Sequence, residues 1–92
     1  MQYLANNDGI LRKIVNRFLL DYKDFINELN EDIYAKIHSL KGITLNLGAK
    51  ALYYECQTVL EAIKKEEKYT LSSFIDCFNK TYDALNAFIN KD

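Results

Sequence analysis

The chain has a single histidine, His38, and the residues that follow it suit surface nucleophilic chemistry. Lys41 and Gly42 come three and four residues later, and on a helix these positions share a face with His38. Neutral imidazole is an effective nucleophile near pH 7, because its unperturbed pKa is roughly 6.5. Lys41 would bring a cation close to the oxygens of a phosphoryl group carried on the ring.

Gly42 is an unfavourable residue for a helix interior, since glycine costs about 1 kcal/mol relative to alanine there. Either close helix packing or access by another molecule would offset that cost. Gly42 lies beside His38 and off the apolar stripe of its helix. We therefore expect Gly42 to uncover the imidazole and to let the backbone of a partner approach.

Apolar residues are predicted to surround this reactive centre. Tyr34 and Leu45, at i−4 and i+7 from His38, lie on the same flank. Tyr53 and Leu60, on the following helix, are outside its apolar stripe and are expected to extend the patch. An exposed apolar patch around a polar centre suits transient protein docking, so Tyr34, Leu45 and Leu60 are predicted docking residues.

The elements that position these residues follow from the spacing of the apolar side chains. Apolar residues recur every three or four positions in four stripes, the first running from Leu11 to Leu29. Such spacing predicts amphipathic helices. Asn30 and Thr70 are candidate caps for the second and fourth helices. The predicted helices span residues of about 9–29, 31–47, 49–66 and 71–90.

The predicted fold is all-α: one domain, residues 1–92, forming an antiparallel up-down-up-down four-helix bundle with a short N-terminal lead-in. The chain has no proline and only three glycines, so nothing forbids long helices. The connections between stripes are short, which makes successive helices antiparallel. In the lead-in, Tyr3, Leu4 and Ile10 are expected to pack on one end of the bundle.

Composition excludes several classes of partner. The formal net charge is −1, whereas nucleic acid or an anionic membrane would require an excess of Lys and Arg. No apolar run approaches the ~20 residues that span a bilayer. Cys56 and Cys77 fall at apolar helical positions, and we expect buried, reduced thiols rather than a disulfide.

The segment from His38 to Ala49 reads HSLKGITLNLGA. It resembles the signature of histidine phosphotransfer (HPt) domains, a His-x-Leu-Lys-Gly core followed six residues later by Gly-Ala at a helix end. The likeness continues at Leu52 and Cys56, and upstream the segment 11–22 resembles the first long helix of the family. It therefore covers nearly the whole chain. One departure is Leu60, where family members commonly carry a polar or acidic residue.

This resemblance implies that His38 is the phosphorylated residue, that Lys41 steadies the phosphoryl group and that Gly42 leaves room for a receiver. Gly48 would form the turn that ends the histidine helix. The phosphoryl group would arrive from an aspartyl phosphate on one receiver domain and pass to another.

The resemblance also implies a phosphoryl carrier without ATP binding or kinase activity. It would need no metal or cofactor of its own, because Mg²⁺ and the reacting aspartate would belong to the receiver. Its partners would be receiver domains of response regulators or hybrid histidine kinases. We expect a monomer in the cytoplasm, either free or as the cytosolic C-terminal domain of a membrane-bound hybrid sensor kinase.

Two alternatives belong to other functional classes. An enzyme using His38 as a general base would need a partner group, yet no carboxylate or cysteine lies three or four residues from His38. A non-catalytic helical adaptor bundle would dock signalling proteins without being phosphorylated. An acid-labile, base-stable phosphoryl group on His38 would distinguish a phosphotransfer module from both.

Overall fold

The computed structural model describes residues 8–90, in which helices are joined by turns and no strand occurs. The predicted all-α, four-helix fold is confirmed. The α-helices are α1 (Asp8–Asp21), α2 (Ile33–Leu47), α3 (Lys50–Lys64) and α4 (Ser72–Ile89), and a short 3-10 helix (Ile26–Glu28) lies between α1 and α2. None of the helices within these residues combines the length and the apolarity needed to cross a membrane.

The four helices pack as a closed bundle. Each helix contacts its neighbour in the chain, and α1 also contacts α4, which closes the ring of helices. The α2–α3 pair has the most extensive contact and the α1–α2 pair the least. Aromatic rings from α1, the turns that follow it and α4 pack against one another in stacked and tilted pairs: Phe18, Tyr22, Phe25, Phe74, Phe78 and Tyr82. This arrangement leaves the outer flank of the α2–α3 pair available for a surface site.

The prediction of one continuous first helix over residues 9–29 is wrong. Helix α1 ends at Asp21, and tighter turns follow, in which Phe25 N–H donates to the Tyr22 carbonyl (3.2 Å) and Glu28 N–H to the Phe25 carbonyl (3.0 Å). Phe25 and Leu29 are nevertheless buried. The apolar spacing could not distinguish one continuous α-helix from an α-helix followed by 3-10 turns, because residues three apart share a face in a 3-10 turn as well.

The predicted role of Asn30 as a cap is also wrong. Helix α2 begins at Ile33 and is preceded by Asp32, which has a left-handed backbone (φ 49°) and no side-chain capping bond. The chain is still turning between Glu28 and Asp32, so Asn30 lies upstream of the cap position. The Lys36 ammonium donates to the Glu28 carbonyl and ties the 3-10 region to α2.

Gly48 ends α2 in the way the sequence predicts. Its φ of 71° lies in the left-handed region that favours glycine. Gly48 N–H donates to the Leu45 carbonyl (3.2 Å) and Ala49 N–H donates to the Thr44 carbonyl (2.9 Å), the Schellman pattern. Helix α3 starts at Lys50, only two residues later. This abrupt turn lays α3 directly against α2.

Other expectations concern the ends of the bundle. The Thr70 hydroxyl accepts a hydrogen bond from the N–H of Ser72, the first residue of α4 (3.2 Å). The cap position is Leu71, which forms no side-chain capping bond, so the prediction of Thr70 as the cap is wrong by one residue. The predicted packing of Tyr3 and Leu4 lies outside the described residues. Ile10 belongs to the first turn of α1 and is 57% exposed, contrary to the prediction.

The two cysteines differ in environment. Cys56 is fully buried and Cys77 is half-buried, and both are free thiols, as the sequence predicts except for the partial exposure of Cys77. Burial first, and then the nearby Cys77, raise the pKa of the Cys56 thiol from an ordinary 9.0 to about 12. Burial also raises the pKa of Cys77. At neutral pH both groups are protonated.

Candidate functional site

His38 lies on the outer flank of α2, as its position relative to the apolar stripe predicts. Ile37, Leu40 and Thr44 of α2 are fully buried, whereas the His38 side chain is exposed. Successive residues on a helix are about 100° apart, so His38 is turned away from the core formed by Ile37. The imidazole is therefore accessible to another molecule.

A shallow depression of about 160 Å³ brings the predicted residues together. It lies between α2 and α3 and is lined by His38, Lys41, Gly42, Leu45 and Tyr53. The first four follow the i, i+3, i+4, i+7 pattern of one helix face. Tyr53 comes from α3 and reaches the site only because the Gly48 turn folds α3 back along α2.

Lys41 is half-buried and its ammonium points towards α3. Its Nζ lies 5.4 Å from the centroid of the Tyr53 ring, within the distance at which a cation is attracted to an aromatic face. The carbonyl of Lys41 accepts a hydrogen bond from the buried Thr44 hydroxyl (2.6 Å). The backbone of Lys41 is thus anchored to the core while its cation stays at the depression.

Tyr34 forms the other side of the histidine environment. Its half-buried ring packs against the core and lies 6.1 Å from the His38 ring, with 17° between the two planes. Within residues 8–90 the His38 side chain forms this ring stack but no hydrogen bond and no ion pair. The edges of the imidazole that carry its nitrogens are consequently unengaged by the described part of the chain.

Gly42 is exposed, and a Cβ built on it would meet no atom within 4 Å. Close packing inside the described domain therefore does not require glycine at this position. Of the two explanations for a helix-interior glycine, access by another molecule is the one compatible with this geometry. The open space lies next to His38, one helical turn away.

The two leucines predicted for docking behave differently. Leu45 is 60% exposed and borders the depression. Leu60 is only 4% exposed and belongs to the hydrophobic core, so the prediction that it lies on the docking surface is wrong. Helix α3 packs against both α2 and α4, and its buried face is wide enough to include Val59 and Leu60 side by side.

The charge around the depression is positive. Helix α2 carries Lys36 and Lys41 and has no Asp or Glu between Ile33 and Leu47. The Lys36 ammonium donates a hydrogen bond to the Glu28 carbonyl. Lys41 forms no ion pair with a carboxylate of the described region. The site therefore offers one uncompensated cation beside an exposed nucleophile, an arrangement that favours an anionic group on the ring.

No group of three His, Cys, Asp or Glu side chains that could hold a metal ion occurs among residues 8–90. The chemistry available at the depression is that of an imidazole nucleophile, an ammonium and an apolar border. Comparisons with protein-family models, curated proteins and solved structures found no match to this chain.

Proposed function

We propose that this domain is a histidine phosphotransfer module. It accepts a phosphoryl group on His38 from the aspartyl phosphate of one receiver domain and passes it to the aspartate of another. The proposal rests on one observation: the exposed His38 lines the same depression as Lys41, Gly42 and Leu45. The HSLKG segment followed by Gly-Ala supports it independently, as a sequence resemblance.

The chemistry requires one bond exchange in each direction. A lone pair of a neutral imidazole nitrogen attacks phosphorus, and an N–P bond forms as the acyl O–P bond breaks. The aspartate carboxylate leaves with the electron pair of that bond, and transfer to the next receiver reverses the exchange. Positioning and neutralisation of the phosphoryl oxygens supply most of the rate in such reactions.

Five residues on and around the depression have separate roles in this proposal. His38 is the nucleophile, the Lys41 ammonium neutralises charge on the phosphoryl oxygens, and Gly42 leaves space for the backbone of the receiver. Leu45 and Tyr34 offer apolar contact to the receiver surface. Mg²⁺ and the reacting aspartate belong to the receiver, so no cofactor or metal is proposed for this chain. The proposed carrier acts as a monomer in the cytoplasm.

The alternatives lack comparable support. A general base is normally oriented by a second titratable group, and within the described residues no such group forms a hydrogen bond or an ion pair with the His38 side chain. A non-phosphorylated adaptor would use the same docking surface but would not need an uncompensated Lys41 beside an accessible imidazole. The experiment must therefore distinguish a phosphotransfer module from an adaptor.

The experiment compares the native chain with His38→Gln in two arms. One arm uses phosphorylated receivers from the same organism, and the other uses phosphoramidate, a small donor that needs no docking. We expect the native chain alone to gain an acid-labile, base-stable phosphoryl group. A folded native chain that neither donor labels would refute the proposal, and receiver binding without labelling would identify an adaptor. Equal labelling of both chains would show that another residue is modified.

A further inference from the structure

We infer that Tyr53 is a positioning residue that holds the Lys41 ammonium at the His38 depression. The inference rests on the proposed function, since it concerns how Lys41 meets a phosphoryl group on His38. Tyr53 lies 15 residues beyond His38 and on another helix. It would act through Lys41 and not by reacting itself.

The contact that carries the inference is the 5.4 Å distance between the Lys41 Nζ and the centroid of the Tyr53 ring. Both side chains are half-buried and both line the depression that contains His38. A lysine on an exposed helix face has a long, flexible stem with many rotamers. Attraction to a ring that belongs to a different helix restricts this freedom and keeps the ammonium next to His38.

The chemical nature of the ring matters as much as its position. A carboxylate at this place would cancel the charge of Lys41, whereas an aromatic face attracts the cation and leaves its charge intact. Lys41 forms no ion pair within the part of the chain that the structure describes. The ammonium therefore meets the phosphoryl oxygens with its full charge and with fewer rotamers to lose.

The first test reads the contact directly in the unphosphorylated protein. Ring currents should shift the ε-methylene protons of Lys41 upfield in the NMR spectrum of the native chain. We expect Tyr53→Leu to abolish that shift and Tyr53→Phe, which keeps the ring, to retain it. Tyr69→Leu is the matched control, because Tyr69 is 44% exposed, lies in the loop between α3 and α4 and does not line the depression. Unshifted Lys41 protons in the native chain would overturn the inference.

The second test measures the initial rate at which phosphoramidate labels His38. In this step the N–P bond to the imidazole forms as the P–N bond of phosphoramidate breaks, and ammonia leaves with the electron pair. We expect Tyr53→Leu to slow labelling about two- to fivefold, the effect of losing one exposed cation–π contact. Tyr53→Phe should recover most of the native rate, and Tyr69→Leu should match the native chain.

A double-mutant cycle shows whether Tyr53 acts through Lys41. In a Lys41→Gln background, Tyr53→Leu should cause no further slowing. An equal slowing in both backgrounds, or a native rate in Tyr53→Leu, would overturn the inference and leave the proposed function intact. A folded native chain that neither phosphoramidate nor a phosphorylated receiver labels would instead refute the proposed function, and with it this inference. Tyr53→Met replaces Tyr53→Leu if circular dichroism shows that the latter is unfolded.

Discussion

The ring of Tyr34 lies 6.1 Å from the imidazole of His38, and the two planes differ by only 17°. These residues are one helical turn apart on α2, and Tyr34 is fixed in turn by its packing against the core. The two rings lie nearly parallel, and within residues 8–90 no hydrogen bond engages the imidazole nitrogens. Stability of the domain and presentation of the nucleophile are therefore linked through a single side chain.

The first prediction concerns this stack. Tyr34→Leu should move the ring-proton resonances of His38 towards those of a free exposed histidine. Phosphoramidate labelling should slow about two- to tenfold, because an aromatic pair contributes about 0.5–1.5 kcal/mol beyond its buried area. NMR and labelling kinetics measure the two effects, with Tyr34→Phe as the control that keeps the ring. An unchanged His38 spectrum in Tyr34→Leu would contradict the prediction.

The second prediction concerns Gly42, for which stability and function should change in opposite directions. A Cβ at Gly42 has open space, so Gly42→Ala should raise the free energy of unfolding by up to about 1 kcal/mol. Transfer from a receiver should slow by at least about fivefold, because an extra methyl group in a close contact costs about 1 kcal/mol or more. Urea unfolding and transfer kinetics provide the measurements.

The control for Gly42 is Gly9→Ala. Gly9 lies in the first turn of α1, and a Cβ there also meets no atom within 4 Å. This substitution should leave receiver transfer unchanged without destabilising the fold. Unchanged or faster receiver transfer in Gly42→Ala would rule out the access role.

The third prediction concerns Gly48, whose φ of 71° requires a left-handed backbone. Gly48→Ala should lower the free energy of unfolding by about 1–2 kcal/mol, the cost of that conformation for a residue with a Cβ. Asparagine tolerates this region better, so Gly48→Asn should lose less. Urea unfolding of both variants checks the order, and a gain in stability for Gly48→Ala would show that the turn rearranges.

The fourth prediction separates the two leucines. Leu60→Ala should lower the free energy of unfolding by about 2–5 kcal/mol, because it removes a buried side chain from the core. Leu45→Ala should change it by no more than about 0.5 kcal/mol, since Leu45 is largely exposed. Leu45→Ala should instead weaken receiver binding, measured by titration calorimetry. Similar stabilities for the two variants would contradict the assignment of Leu60 to the core.

The fifth prediction follows from the buried thiol of Cys56. Its pKa is raised to about 12 in the folded chain from an ordinary 9.0, so above pH 9 the unfolded state loses this proton while the folded state keeps it. Stability should therefore be complete below about pH 9 and fall as the pH rises towards 12. Urea unfolding between pH 8 and about pH 11 measures the slope.

Cys56→Ala is the control for this alkaline loss. The variant should be less stable overall but should have a shallower dependence on pH. Some dependence should remain, because burial also raises the pKa values of Tyr22 and Cys77. A slope identical to that of the native chain would show that Cys56 does not contribute.

The apolar spacing in the sequence was sufficient to predict four helices, and the predicted bounds of the last three lie within about two residues of those observed. It failed at the end of the first helix, where α1 stops at Asp21 although the stripe continues to Leu29. The same spacing also suits 3-10 turns. Hydrogen bonding within the folded chain decides between the two conformations, and sequence spacing does not contain that information.

Some features of the candidate site could likewise be predicted from the sequence, and others depend on the tertiary structure. The exposure of His38, the neighbouring Lys41 and Gly42, and the left-handed turn at Gly48 follow from helix geometry and glycine's backbone freedom. The burial of Leu60 and the contact between Lys41 and Tyr53 do not. Both depend on how α3 packs against α2 and α4, because local sequence sets the face of a helix but only its neighbours determine how much of that face is covered.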